Sequence, residues 1–448
     1  MKHPLFLLAL LLFSPSLFTQ NYFDHIYNFG DIDHPVSVVT DSLENIYVCG
    51  WYEDDNQQAP HAFVLKTDAS GQELWRVTLS DTSKFYALCL THTGSLALAG
   101  SRNNHCFTTS LDGQNGTENW NYEEPGSEDY WFATINEVLD SSVSKLHVVK
   151  TKYGPHRLWY YLFDPLNGSL INYVKDNINT IYGITYTSSL IDSDRVWTAG
   201  NLNDQWGLIV NENFGPGISS LWDFQSLHIA GVHHYMDNQG CVVRNFIWPD
   251  GEYDMSILIM DYELFEVWGN SFEIAHDVFS VTGSDKYENG KFVITGTIEN
   301  ELALWFIDHD LTEMDDKTIP TQKPRSGIDV VALPSTDMIL MGSEEEDNGT
   351  DLFLMKLDQN GLVSTGENKL PNHLSIYPNP ANDKIFIKNG INSLQTAKAK
   401  ILNSLGCTVK TISNLNRPVP VSDLPSGLYV VVVYNSNKLM YREKFIKK

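Results

Sequence analysis

Two segments of the sequence carry side chains that could bind a metal ion. The first, "HIAGVHHYMD", contains His228, His233 and His234, and the second, "SEEEDNGTD", contains Glu344 to Asp347 and Asp351. Successive side chains of a β-strand point to opposite faces, so His233 and His234 cannot easily share one ion. The acidic run lacks the alternating oxygen ligands of a calcium loop. We therefore interpret the histidines as ordinary strand residues and the acids as a solvated loop, and we name no metal ligand.

The common signatures of nucleophilic and glycosidic catalysis are also missing from the sequence. It contains no Gly-x-Ser-x-Gly nucleophile elbow. A sialidase-type Asp box would need Ser-x-Asp-x-Gly-x-x-Thr/Ser-Trp, whereas "SLDGQNGTENW" places too many residues between Asp112 and Trp120. We therefore name no catalytic and no cofactor-binding residue.

The beginning of the chain is typical of a secretory signal peptide. A lysine in "MKHP" precedes the apolar run "LFLLALLLF", and a short polar segment follows. The run is too short to span a bilayer, and no other stretch approaches about 18 continuous apolar residues. We predict that residues 1–19 are a signal peptide and that the exported protein has no transmembrane segment.

Charge divides the chain into two parts of opposite sign. From Leu374 to the end there are eleven Lys and Arg against three Asp and Glu, which is a net charge of +8. Because the whole chain carries −26, residues 1–373 carry −34. An acidic body argues against nucleic acid as a partner, because phosphate binding needs a basic surface. The five cysteines are widely spaced and odd in number, which favours small core residues over a disulfide framework. They are Cys49, Cys89, Cys106, Cys241 and Cys407.

Two sequence markers each recur seven times in the acidic part. The first is an apolar strand that ends in a small or polar residue, at Gly50, Gly100, Lys150, Gly200, Arg244, Gly296 and Gly342. The second is an apolar strand that ends in an acid or amide, at Asp68, Asp112, Asp164, Asn211, Asp261, Asp308 and Asp358. A period of about 40 to 50 residues made of short strands and polar turns indicates propeller blades rather than a helical solenoid. We predict an all-β fold, a seven-bladed β-propeller over residues 20–366, and a linker over 367–373.

Each repeat is expected to contain four strands. In the first repeat these are "VSVVT", "NIYVCG", "AFVLKT" and "ELWRVTL", from the innermost outward. The seventh repeat has only the weak fourth strand "LVSTGE". The segment "HIYNFG", from His25 to Gly30, has the aromatic alternation of an outer strand, and we predict that it completes blade 7 and closes the ring.

Two of the repeats share a strand-turn-strand motif, "DASGQELW" and "LDGQNGTENW". Asp68 or Asp112 can accept turn amides, Gly71 or Gly116 can take an unusual φ, and the tryptophan can pack between blades. The motif resembles that of quinoprotein-dehydrogenase-like and WD40-like propellers. In that family it serves packing, so the resemblance implies the fold and no bound quinone.

Seven further strand candidates follow from Leu374, namely "LSIYPNP", "KIFIK", "AKAKILN", "CTVKTIS", "VPVS", "LYVVVVY" and "KLMYREKFIKK". Seven short alternating strands predict a small antiparallel, Ig-like β-sandwich over residues 374–448. Proline lacks the backbone N–H of a ladder donor, so the first of these strands must lie at an edge or bend.

This last segment resembles the type A C-terminal sorting domain of proteins exported by the type IX secretion system of Bacteroidota. The residues that carry the resemblance are Tyr377, Pro378, Asn379, Pro380, Gly406, Gly427, Tyr429, Lys447 and Lys448. It implies that the secretion machinery is a partner, and that the protein is secreted or reaches the outer-membrane surface. The resemblance implies nothing about the activity of the propeller.

For the propeller itself we expect a binding or interaction module for a glycan or protein ligand. The alternative is a polysaccharide-active enzyme, which would need two carboxylates about 5 to 10 Å apart in the mouth of the channel.

The connections between second and third strands emerge on one face of a propeller, and here they are strongly acidic. A calcium ion or a basic partner would relieve the repulsion between these acids, and the competing interpretation is a solvated face that aids solubility. The opposing charges in these connections are Arg102 and Lys152. The acids are Glu53, Asp54, Asp55, Asp204, Asp250, Glu252, Asp254, Glu299, Glu301, Glu344, Glu345, Glu346, Asp347 and Asp351.

Overall fold

A computed structural model describes residues 22–448 except for 55–56, 125, 127–129, 141–142, 156–158, 176–181, 184, 193–194, 203–204, 213–221, 225, 237–238, 248–252, 262–265, 274–278, 300, 363–374, 378, 389–397, 404–407, 413–416 and 436–437. The chain divides into two units, Met1–Ser364 and Thr365–Lys448. The described residues form 36 β-strands. Among them we find no helix long and apolar enough to cross a membrane.

The described strands of the first unit form a β-propeller of seven blades. Each blade is an antiparallel sheet of four strands, labelled A to D from the centre outward. The A strands of successive blades contact one another around the ring. Blade 1 contains β2 (Ile32–Thr40), β3 (Ile46–Asp54), β4 (Gln57–Thr67) and β5 (Glu73–Thr78); blade 2 contains β6 (Ser83–Leu90), β7 (Ser95–Arg102), β8 (His105–Asp112) and β9 (Glu118–Glu123); blade 3 contains β10 (Tyr130–Asp140), β11 (Val143–Pro155), β12 (Trp159–Phe163) and β13 (Leu170–Lys175), with the short β14 (Tyr182–Gly183) paired to β11. Blade 4 contains β15 (Thr185–Asp192), β16 (Arg195–Leu202), β17 (Gln205–Glu212) and β18 (Trp222–Phe224); blade 5 contains β19 (Ser226–Met236), β20 (Gln239–Ile247), β21 (Tyr253–Asp261) and β22 (Glu266–Glu273); blade 6 contains β23 (Phe279–Lys286), β24 (Phe292–Ile298), β25 (Glu301–Ile307) and β26 (Met314–Ile319); blade 7 contains β27 (Arg325–Ala332), β28 (Met338–Glu346), β29 (Gly349–Leu357) and, as its D strand, β1 (Phe23–Tyr27).

Both sequence markers coincide with the blades, which confirms the predicted fold class. Every first marker lies in a B strand, and every second marker lies at or next to the end of a C strand. Neighbouring blades cover a B strand on both faces, so its residues are buried in succession, as in the first five residues of β3. The outer strand β5 instead alternates between half-buried and exposed residues.

The glycine that ends the first marker in several blades has a steric cause. The A strands of these blades carry a β-bulge at this level. A Cβ at Gly50 would lie 2.2 Å from the backbone oxygen of His34, and one at Gly100 would lie 1.9 Å from that of Lys84. Glycine is the residue that tolerates so close a backbone approach.

Ring closure by the N-terminal segment is confirmed. β1 pairs antiparallel with β29, from Phe23 opposite Lys356 to Tyr27 opposite Leu352. The strand begins two residues earlier than the predicted segment and ends at Tyr27, so residues 28–30 belong to the following turn.

Polar contacts hold β1 and this turn against blades 7 and 1. Arg325 donates to Asp24 in β1 at 2.8 Å and to Glu344 in β28 at 2.6 Å. The buried carboxylate of Asp33 accepts the backbone N–H groups of Phe29 and Gly30, each at 3.1 Å. These contacts join the N-terminal segment to both adjoining blades.

Blades 1, 2 and 3 dock in succession through an aromatic residue on one D strand and a glycine in the next C–D turn. A Cβ at Gly116 of blade 2 would lie 2.9 Å from the ring of Trp75, and one at Gly168 of blade 3 would lie 2.4 Å from that of Trp120. The indole N–H of Trp120 also donates to the carbonyl of Pro165 at 2.8 Å. These contacts confirm that the tryptophan motif packs between blades.

At the closing seam, between blades 7 and 1, β1 supplies the aromatic residues. A Cβ at Gly71 of blade 1 would lie 2.7 Å from the ring of Phe23. The Tyr27 hydroxyl donates to the carbonyl of Gly71 at 2.5 Å, and Nδ1 of His25 lies 3.1 Å from the same oxygen. The closing seam therefore repeats, with different residues, the docking geometry of the seams between blades 1 and 2 and between blades 2 and 3.

The second unit contains the seven predicted strands in two sheets. One sheet has the order β30 (Ser375–Tyr377), β31 (Lys384–Lys388), β34 (Val419–Pro420), and the other has the order β33 (Thr408–Ile412), β32 (Lys398–Leu402), β35 (Gly427–Asn435), β36 (Lys438–Lys447). Its core includes Ile385, Ala399, Ile401, Val431 and Phe445.

The cysteines of the propeller are core residues, as predicted. Cys49, Cys106 and Cys241 are buried thiols, and Cys89 is half-buried. Cys407 lies outside the described residues.

Candidate functional site

The predicted sorting residues of the second unit converge on its last strand. After β30 ends at Tyr377, the chain bends, and Ala381 forms an isolated parallel bridge with Lys447. Oδ1 of Asn379 accepts the backbone N–H of Ile446 at 3.0 Å, and the N–H of Ala381 donates to the carbonyl of Ile446 at 2.7 Å. The proline-containing segment thus leaves the ladder of β30 and holds the end of β36.

Two tyrosines of the predicted motif stack on phenylalanines. The exposed ring of Tyr377 lies 5.3 Å from that of Phe386, and the buried ring of Tyr429 lies 5.6 Å from that of Phe445. The Tyr429 hydroxyl donates to the carbonyl of Pro425 at 2.8 Å. Tyr377 therefore offers part of its ring to solvent, whereas Tyr429 serves the core.

Gly427, Lys447 and Lys448 lie at or next to the end of the β35–β36 ladder. Gly427 is opposite Lys447 in the β35–β36 ladder, and the N–H of Lys448 donates to the carbonyl of Ala381 at 2.9 Å. Pro380 is exposed. Pro378 and Gly406 lie outside the described residues.

Sequence reasoning missed Ala381, which is fully buried and makes both backbone contacts to the last strand. The one available signal was a small residue directly after the second proline.

The B–C hairpins define one face of the propeller, which we call the hairpin face. Fewer of its acidic side chains are exposed than the sequence predicts. Asp254 is buried within β21. Glu344 to Glu346 continue β28 instead of forming a solvated loop, and Glu344 is buried. Glu53 and Asp54 are half-buried, and Glu299 and Glu301 are exposed. The acids at positions 55, 204, 250 and 252 lie outside the described residues.

Basic residues outside the B–C hairpins neutralise part of this face. Lys323 forms ion pairs with Glu344 and Glu346, and Arg325 contacts Glu344. Arg102 pairs with Asp81 rather than with a hairpin acid, with Nε and Oδ2 2.9 Å apart.

Acidic crowding persists at Asp351. Desolvation raises the pKa of its carboxyl group, and the nearby charges of Glu346 and Glu344 add to the effect.

A cluster of aromatic and charged side chains lies where the A and B strands of blades 1 and 2 reach this face. We call His34, Trp51, Lys84 and Tyr86 the Trp51 cluster. The rings of His34 and Trp51 stack with centroids 5.0 Å apart, and Nζ of Lys84 lies 4.7 Å from the Trp51 ring centroid. The ring of Tyr86 is tilted against that of Trp51, with centroids 5.5 Å apart. All four residues are half-buried. Desolvation lowers the pKa of His34, Lys84 lowers it further, and Glu53 opposes the shift. Sequence reasoning missed this cluster because its members come from two blades.

Three carboxylates of the A strands link neighbouring blades. Asp285 of blade 6 accepts the N–H of Ala332 in blade 7 at 2.8 Å, and Asp329 of blade 7 accepts that of Val38 in blade 1 at 3.1 Å. Desolvation raises the pKa of Asp285 to about 6, and those of Asp33 and Asp329 to about 7. These carboxylates therefore act as inter-blade acceptors.

The candidate histidines lie in β19. Nε2 of His233 is 2.8 Å from the hydroxyl of Ser284 in blade 6, and desolvation lowers the pKa of His233 to about 4. The side chain of His234 is exposed, whereas that of His228 lies outside the described residues. Among the residues that the structure describes, no group of three or more His, Cys, Asp or Glu is arranged to hold a metal ion.

Comparison with sequence families identifies the second unit. Residues 375–448 match the family described as the secretion system C-terminal sorting domain. The tail is therefore a type IX secretion sorting domain, and its partner is the secretion machinery. This tail directs the protein to the medium or to the outer-membrane surface. No curated protein matches the chain in sequence.

Two solved structures with TM-scores of 0.50 or more support the propeller fold at low sequence identity. Hydrazine synthase from Kuenenia stuttgartiensis has a TM-score of 0.53 and 10% identity, over 73% of this chain and 97% of that one. Raptor from Chaetomium thermophilum has a TM-score of 0.50 and 10% identity, over 75% of this chain and 30% of that one. PorZ from Porphyromonas gingivalis, described as a surface component of the type IX secretion system, has a TM-score of 0.35 and 12% identity, over 93% of this chain and 70% of that one.

Proposed function

We propose that the propeller is a binding module that works outside the cell, and that its ligand docks on the hairpin face at the Trp51 cluster. The observation that carries the proposal is the cluster itself, in which blade 1 contributes the stacked rings of His34 and Trp51 and blade 2 contributes the Lys84 cation over Trp51. The charge of Glu53 acts on His34. Half-buried aromatic rings with a few polar groups are the usual composition of a recognition surface.

The chemistry of the surroundings narrows the ligand class. Glu53, Asp54, Glu299 and Glu301 repel anionic ligands, while aromatic rings and carboxylates together suit a neutral glycan or a protein surface with basic residues. We propose calcium only as an accessory to such binding, because the one observation that favours a calcium ion is the acidic crowding at Asp351.

The proposal is tested by screening the purified chain against glycan and protein panels. For any ligand found, Trp51→Ala should weaken binding by tenfold or more, which corresponds to about 1.4 kcal/mol. His92→Ala is the matched control, because His92 lies in the A–B turn of blade 2 on the opposite face and is half exposed. Equal affinity of wild type and Trp51→Ala would refute docking at the cluster.

The polysaccharide-active alternative gains no support from the A-strand carboxylates. Asp33, Asp285 and Asp329 each accept backbone N–H groups, which occupies the oxygens that a general acid or nucleophile would use. We therefore do not propose these residues as catalytic.

Within the tail, we propose that the bend around Asn379 forms part of the sorting signal, because it joins the beginning of the domain to its last strand. Asn379→Ala should reduce the amount of protein that reaches the medium or cell surface and leave it in the periplasm. Asn382→Ala is the control, since Asn382 is an exposed asparagine three residues away. Normal export of Asn379→Ala would contradict the assignment.

A further inference from the structure

The D strand of every blade is an edge strand, and an edge strand exposes a row of backbone groups to other chains. Charged side chains oppose such pairing in several blades of the described structure. They are Glu73 and Arg76 in β5, Glu118 and Glu123 in β9, and Asp315, Asp316 and Lys317 in β26.

Blade 3 lacks this protection along most of its edge. From Pro165 to Val174 the chain contains no charged residue, and the first one within β13 is Lys175 at its end. Apolar side chains are nevertheless exposed here, with Leu166 at 74%, Ile171 at 51% and Tyr173 at 59%. We call this stretch the blade 3 edge.

The backbone of the blade 3 edge also has a donor that the β12–β13 ladder does not use. The N–H of Tyr173 donates to Oδ1 of Asn172, the residue before it, at 2.9 Å. This N–H therefore points away from β12, and an incoming strand could accept it once the Asn172 side chain turns aside.

We propose that the blade 3 edge pairs with the same edge of a second copy of this chain and forms a two-fold symmetric dimer. Residues 1–373 carry a net charge of −34, so two copies repel each other over most of their surface. The uncharged edge is a place where this repulsion is weakest.

Antiparallel self-pairing also gives a favourable register. If Tyr173 lies opposite Ile171 of the second copy, Lys175 lies opposite Ser169, so apolar residues meet and like charges do not. Because the paired strands run antiparallel, the hairpin faces of the two copies would lie toward opposite ends of the paired strands.

Analytical ultracentrifugation of the purified chain tests the proposal over a range of concentrations up to about 100 μM. We expect a monomer–dimer equilibrium that Ile171→Lys shifts at least tenfold toward monomer. Leu74→Lys is the matched control, because Leu74 occupies the same bulge position in β5 and is exposed to 52%. It should leave the equilibrium unchanged.

A second variant, Tyr173→Pro, removes the outward N–H and should also yield monomer. Thermal unfolding of each variant verifies that the fold is retained. A monomer at all concentrations overturns the proposal, as does a dimer that survives Ile171→Lys, or larger species that neither variant reduces.

Discussion

Blade 2 is one continuous piece of chain, whereas blade 7 is assembled from two pieces, with Asp24 and Arg325 in contact across 301 residues. The seam between blades 1 and 2 and the closing seam use the same aromatic-on-glycine docking. At the seam between blades 1 and 2, the aromatic residue Trp75 lies in β5, which is covalently continuous with the rest of blade 1. At the closing seam the aromatic strand must first pair with β29.

The extra polar contacts of the closing seam follow from this difference. Besides the Arg325 contacts, Asn28 donates to Asp351 at 2.7 Å, and the Tyr22 hydroxyl donates to Asp337 at 3.2 Å. The docking geometry is thus common to these two seams, and the closing seam adds side-chain contacts that replace a missing covalent connection.

Of the changes that test this comparison, removal of β1 should lower the free energy of unfolding most. Deleting residues 22–30 exposes the edge of β29 and removes the buried rings of Phe23 and Tyr27, so the free energy of unfolding should fall by about 3 to 6 kcal/mol. Chemical denaturation followed by tryptophan fluorescence measures the loss. An unchanged midpoint would show that β1 does not close the ring.

Alanine at the docking glycines compares the two seams directly. Gly71→Ala at the closing seam and Gly168→Ala at the seam between blades 2 and 3 should each cost about 1 to 3 kcal/mol more than Gly94→Ala, because their Cβ would meet an aromatic ring. Gly94 is a stringent control, since its φ of 83° matches theirs of 78° and 69° and its Cβ would meet nothing within 4 Å. Equal melting temperatures for the three variants would contradict the docking role.

The A-strand carboxylates should make stability depend on pH. Asp329 has a pKa raised from 3.8 to about 7 by desolvation, so the folded state retains a proton that the unfolded chain has released. Its contribution is fully present below pH 3.8 and is lost as pH rises to about 7, with a slope of up to about 1.4 kcal/mol per pH unit. Asp329→Asn should remove that slope from denaturation curves, whereas Asp285→Asn should affect a window that ends near pH 6. Parallel pH profiles of all three proteins would refute this.

The smallest expected effect concerns one tyrosine hydroxyl on each seam. Tyr27 donates to Gly71 at the closing seam, and Tyr47 donates to Gly113 at the seam between blades 1 and 2, at 3.1 Å. Tyr27→Phe and Tyr47→Phe should each cost about 1 kcal/mol. A loss several times larger for Tyr27→Phe, measured by denaturation, would show that this hydroxyl is coupled to strand pairing.

The blade architecture could be predicted from the sequence because its strongest signals are local. B and C strands are covered on both faces, so each is a short apolar run, and the glycine after "NIYVC" is required by one nearby backbone oxygen of His34. Aromatic alternation marks the closing strand from His25 onward, but nothing local marks Phe23 as the residue that packs on Gly71.

The chemistry of the hairpin face depended on distant partners and was harder to predict. Glu344 reads as one of a row of solvated acids, yet Arg325, nineteen residues earlier, buries it in an ion pair. The stacking of Trp51 on His34 likewise depends on the register of two strands. The contact of Trp51 with Lys84 depends on how the next blade packs. In the tail, the resemblance to sorting domains marks Asn379, but its contact with Ile446, 67 residues later, depends on the fold.

The position of β29 in blade 7 determines how the propeller responds to mechanical load. The sorting tail follows this strand in the chain, so a pull on the tail acts first on the end of β29 at Leu357. β29 lies between β28 and β1, with antiparallel hydrogen bonds on both sides. Tension along the strand therefore shears two ladders at once instead of peeling one open. The same N-terminal strand that closes the ring would thus brace the blade to which the tail is attached.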